Sequence, residues 1–74
     1  MTKLKRVEGA ILIRFLVKRG FTVVRQKGSH VFLSRPDGAK EVVPVHAGKE
    51  LPTGLILKIL KNTGIDKDDY QKNI

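Results

Sequence analysis

The sequence predicts an α+β domain built as one helix, a three-stranded antiparallel sheet, a second helix and a short C-terminal helical turn. Apolar residues recur at helical spacing in two places, Leu12, Ile13, Phe15 and Leu16 and then Leu55, Ile56, Ile59 and Leu60. Between them lie three β-rich runs separated by the turn signals Lys27-Gly28 and Pro36-Asp37-Gly38. The 74 residues suffice for a single domain, 1–74, that buries about 60% of the surface of its unfolded chain. In this order of elements both helices pack on one sheet face and leave the other to solvent or a ligand.

The first helix is expected over residues 7–19, with Arg14, Lys18 and Arg19 off its apolar side and Gly20 as the residue that ends it. Its start stays open. Thr2 is a candidate cap, but no acid follows at capping-box spacing, and Gly9 costs the first turn about 1 kcal/mol. Val7, Ile11 and Val17 widen the apolar surface, and core burial is the expected use of them. Phe21 to Gln26 forms the first strand, and Ser29 to Arg35 returns antiparallel after the Lys27-Gly28 turn. Alternation along the second strand sends Val31 and Leu33 to the core face and His30, Phe32 and Ser34 to the other. Lys40 to Val45 supplies the third strand, which Pro44 confines to an edge or brings to its end. After the loop from His46 to Leu51, Pro52-Thr53-Gly54 opens the second helix and Gly64 closes it. The core is expected within about residues 7–65. Asp66 and Asp69 mark one further turn around Tyr70, beyond which the tail is expected to fray.

Composition excludes several classes. With no cysteine there is no disulfide and no thiolate metal site. No run approaches the roughly 18 apolar residues of a membrane span, and the first residues lack a signal peptide's apolar region, so a cytoplasmic protein without membrane attachment is expected. The formal charge is +8, and residues 1–65 hold 13 of the 15 Lys and Arg but only four of the seven acids. A field of that sign favours a polyanion, although an acidic protein or membrane surface also fits.

His30 is the first candidate for chemistry. It points away from the expected core face, and Arg25, Lys27 and Lys40 are near enough in the pattern to bind phosphate. An imidazole can take a proton from a ribose 2′-hydroxyl or give one to a departing 5′-oxygen, which requires neither metal nor cofactor. The competing description is an ordinary exposed strand residue. His46 ends the third strand before a Gly-Lys loop, either as a second acid or base or as a residue that fixes the loop. Zinc is disfavoured by the absence of a third histidine. Ser29 belongs to the turn rather than to a nucleophile pair, because adjacent strand residues face opposite ways. Phe32 offers a ring to a base on the His30 face, unless the chain itself covers it. No phosphate-loop or dinucleotide signature occurs.

The ordered series Gly20-Phe21, Val24-Arg25-Gln26-Lys27-Gly28-Ser29-His30, Pro36-Asp37-Gly38, Val43-Pro44-Val45-His46 and Leu51-Pro52-Thr53-Gly54 with Ile59-Leu60-Lys61 closely resembles the HicA toxin family. The resemblance runs from about Leu12 to Ile65. It implies a fold like the double-stranded-RNA-binding domain, an mRNA interferase that cleaves mRNA, and a HicB-type antitoxin protein that holds it inactive. The family's catalytic histidine corresponds to His30, and Gly28 and Ser29 match the turn that presents it. His46 matches a second histidine of the pattern. Ile11 and Val17 depart from positions expected to be polar, and Val31 and Phe32 stand where some relatives carry further histidines. The expected function is a metal-independent endoribonuclease with His30 as general acid or base and Arg25, Lys27, Gly28, Ser29, Lys40, His46 and Lys49 binding RNA. The alternative is an RNA-binding module without catalysis, and a third reading gives the basic face to an acidic protein.

Overall fold

Six elements run in the order α1 (Gly9–Lys18), β1 (Thr22–Lys27), β2 (His30–Ser34), β3 (Lys40–Pro44), α2 (Thr53–Thr63) and α3 (Lys67–Asn73). The computed structural model describes residues 3–74, so the Thr2 cap lies outside the described residues. The strands form one antiparallel sheet in the order β1-β2-β3. This α+β arrangement is compatible with the double-stranded-RNA-binding fold.

The core forms where the periodicities converge. Leu12, Phe15 and Leu16 of α1 meet Ile56, Ile59 and Leu60 of α2 above Val31, Leu33 and Val43 of the sheet, with Phe21 and Leu51 closing the sides. Ile13 and Leu55 pack half-buried against the same cluster, as does Val7. Ile11 and Val17, expected in the core, are instead exposed, 38% and 47%. The buried face of α1 is the narrow stripe set by residues 12, 15 and 16, and Ile11 lies off it, lining a groove with Asn73 and Ile74 at the end of α3. Both stop signals hold, with Gly20 at φ 96° and Gly64 at φ 71°.

Gly9, the first residue of α1, is buried against the end of β3. A Cβ there would overlap the Pro44 carbonyl oxygen and lie 3.3 Å from Val45 Cα. The glycine that weakens the helix in isolation is what allows helix and strand to touch. Glu8 then pairs with Glu50 as an isolated bridge, and Leu51 N donates to Val7 O at 2.8 Å.

The tail does not fray. The Asp66 side chain accepts from Asp68 N at the start of α3, and the helix continues to Asn73. Tyr70 is fully buried, its ring edge-on to Phe15 at 5.6 Å, and its hydroxyl donates to Lys5 O at 2.6 Å. Arg19 lies over the other partner of that stack, 4.6 Å from the Phe15 centroid, and donates from two nitrogens to Asp69 at 2.6 Å each. Lys5 N and Gln71 Oε1 are 2.8 Å apart in a further hydrogen bond. An apolar anchor and a bidentate ion pair together hold seven residues that a helix of this length could not hold by itself.

Candidate nucleic-acid interface

The helices cover one sheet face, and the register fixes what the other presents. Lys27 pairs with His30, and His30 with Pro44, so these three share the open face at one end of the sheet. Arg25, Phe32 and Val42 form the next row, and Thr22, Ser34 and Lys40 the last. Lys40 is therefore four residues along the strand from His30, roughly 13 Å at the usual rise. The sequence placed it beside the histidine; the fold gives it to the far end of the same face. A shallow groove of about 560 Å³ occupies that end, with Arg25, Phe32, Ser34 and Lys40 among its walls.

His30 sits at the first position of β2 and is exposed. Lys27 ends β1 and Gly28 makes the turn at φ 58°, with open space where its Cβ would be, so the requirement for glycine is conformational. Gln26 Nε2 donates to Gly28 O at 3.0 Å and braces the turn from its own strand. On the other side Val45 N donates to Ser29 O at 2.7 Å, which carries the β2–β3 pairing one step past His30 and Pro44. That bond seats the start of the His46–Lys49 loop beside the histidine turn. The loop is held in turn by Lys49 N donating to His46 O at 3.0 Å and Gly48 N donating to Glu8 Oε1 at 3.1 Å. His46 and Lys49 are exposed, and Ser29 is half-buried.

The open face is positively charged by side chains that are not otherwise engaged. Among the described residues, no hydrogen bond or ion pair involves the side chains of Lys27, His30, Lys40, His46 or Lys49. Arg25 stacks its guanidinium 4.5 Å above the Phe32 centroid. The chain thus covers one face of the ring offered to a base, and displays a planar cation with it. Other arginines serve the fold. Arg6 Nε donates to Leu51 O at 2.9 Å, and Arg35 lies over Phe21 while donating to Thr63 O at 2.9 Å and to Asp37 at 3.0 Å. The hydrogen bond from Arg35 holds the Asp37 carboxyl below its ordinary range, and the one from Arg19 does the same to Asp69.

Three residues that shape this end of the molecule are absent from the sequence expectations: Gln26, Glu8 and, as a contact, Gly9. Only Gln26 had a local signal, a side chain able to reach a carbonyl two residues on. Glu8 meets Gly48 across 40 residues of chain, and no pattern in the sequence connects them.

A helix, a three-stranded meander and a second helix, with a bare basic sheet face carrying one histidine at a braced turn, define a small α+β domain compatible with the double-stranded-RNA-binding fold. The family model described as HicA toxin of bacterial toxin-antitoxin matches residues 9–65, well over half of the chain. The chain belongs to that family, and its place is accordingly that of the toxin in a toxin-antitoxin pair, with an antitoxin as partner. No curated protein matches it significantly. The α3 helix lies outside the matched residues. Among the described residues, no helix is long and apolar enough to cross a membrane.

Proposed function

We propose that the chain is a metal-independent endoribonuclease acting on mRNA, in which His30 is the general base or acid. The observation that carries this reading is the pairing of exposed His30 with Lys27 at the open end of the sheet, beside the turn and the His46–Lys49 loop. Phosphates bound by Lys27, Arg25 and Lys49, and by the backbone of Gly28 and Ser29, set the ribose against the imidazole. Lys40 reaches phosphates further along the strand, and His46 contacts RNA from the loop. His30 takes the 2′-hydroxyl proton while the 2′-oxygen bonds to the adjacent phosphorus, or gives a proton to the 5′-oxygen as the P–O5′ bond breaks. RNA supplies its own nucleophile, and the products carry a 2′,3′-cyclic phosphate and a 5′-hydroxyl. Within the cell this activity stops translation, and a HicB-type antitoxin restrains it.

The test compares wild type with His30→Ala on RNA in the presence of a chelator, with end-group analysis of the products. Cleavage with cyclic-phosphate ends in the wild type, and a loss of about 10²- to 10⁴-fold in the variant, is expected. Equal rates remove His30 from the mechanism, and cleavage abolished by the chelator removes the metal-free step. RNA bound with salt-sensitive affinity but left intact assigns the chain as a binding module instead.

A further inference from the structure

A three-stranded sheet has two edges, and in this molecule they are treated differently. On β3, Val45 N faces β2, where it donates to Ser29 O. Alternation therefore turns the N–H positions of Lys40, Val42 and Pro44 outward. Pro44 has no N–H, and Val42 N is taken at 3.2 Å by the Glu41 side chain. Proline and a charged side chain folded over the backbone are how an edge is closed to other strands. Both helices also pack against β3.

β1 has neither the proline nor the side-chain cover of β3, and its edge is guarded only by Arg25, Lys27 and a register shift. It contains no proline, all six of its residues are exposed, and no hydrogen bond from elsewhere among the described residues reaches its outer side. Because Ser29 faces β3, His30 faces β1, and the Lys27–His30 pair then turns the Gln26 N–H outward. Val23 and Val24 add apolar surface, 45% and 58% exposed. The register shift at Val24 bends the strand and limits what can be added to a short segment.

Charge selects the occupant. A second copy joined edge to edge would set Arg25 and Lys27 against their own kind, and like charges placed opposite one another in a sheet are destabilising. We propose that the β1 edge receives a short extended segment of the antitoxin, rich in acidic side chains, as a fourth strand. Its backbone pairs with Val23 to Lys27 and its carboxylates meet Arg25 and Lys27. This rests on the toxin reading, which supplies the partner.

The test measures amide exchange across Thr22–Lys27 in the chain alone and in its purified complex with its cognate antitoxin, together with affinities of two Val24 variants. Exchange of the Gln26 amide should slow at least tenfold in the complex. Val24→Glu should weaken antitoxin binding at least tenfold, and Val24→Lys should not weaken it, while both keep the circular dichroism of the wild type. A complex that forms with β1 exchange unchanged, or equal weakening by both variants, overturns the strand proposal and leaves the toxin reading standing. Absence of any complex overturns both. Slow β1 exchange in the free chain, with a dimer seen by sedimentation, assigns the edge to a second copy and overturns the proposal.

Discussion

Gly9 shows how far one residue's meaning depends on what it touches. Helix propensity alone makes Gly9→Ala a gain of about 1 kcal/mol. The Pro44 carbonyl reverses the sign, because an added methyl forces helix and strand apart, and overpacking of this kind costs about 1–3 kcal/mol. Urea denaturation should find the alanine variant less stable than wild type. An increase in stability would mean that the end of β3 yields at little cost. The contact of Gly9 is not legible in the sequence because its partner lies 35 positions away, whereas the outward placement of His30 is legible because strand alternation is local. The same distinction separates Gln26, whose brace spans two residues, from Glu8, whose bond to Gly48 spans 40.

At the scale of elements, helices and strands fell where periodicity and turn residues put them, while the two errors both concerned what an element packs against. Ile11 and Val17 keep apolar character yet stay exposed, Ile11 beside Asn73 and Ile74 at the end of α3. The reverse holds for α3, where a polar seven-residue segment is fixed by one buried ring and one ion pair. That ion pair makes the attachment of α3 sensitive to acid. The hydrogen bond from Arg19 lowers the Asp69 carboxyl, so its folded pKa lies below its unfolded one. Such a group contributes stability above its unfolded pKa, about 3.9 for Asp, and loses the contribution as pH falls through the lower folded value. Tyr70 is the only tyrosine and there is no tryptophan, so its fluorescence reports on α3 directly. The signal should change on acidification below about pH 4, and in Asp69→Asn the same change should be largely gone. An identical acid transition in that variant would assign it to another carboxylate, Asp37 being the first to consider.

For the molecule as a whole, net charge pointed correctly to a basic surface but could not apportion it. The fold spends Arg6, Arg19 and Arg35 on carbonyls and carboxylates, and leaves Arg25, Lys27, Lys40 and Lys49 facing outward. Binding of single-stranded RNA, measured on the His30→Ala background to prevent cleavage, should weaken with salt at a slope of about −0.7 per phosphate neutralised. Removing Lys27 or Arg25 should reduce that slope by about 0.7 each. Arg19→Ala should leave it nearly unchanged, since that guanidinium is already matched by Asp69. Equal slopes for all three variants would place the RNA somewhere other than the open sheet face.

Tyr70 donates to Lys5 O and Lys5 N donates to Gln71, joining positions separated by 65 and 66 residues. Synthesis makes the two partners at opposite times. Phe15 is made 55 residues ahead of the Tyr70 ring that packs against it. A chain cut after residue 65 would hold every residue the family model matches, but would lack the ring that packs edge-on to Phe15. Closure over Phe15 therefore depends on residues that lie outside the family match.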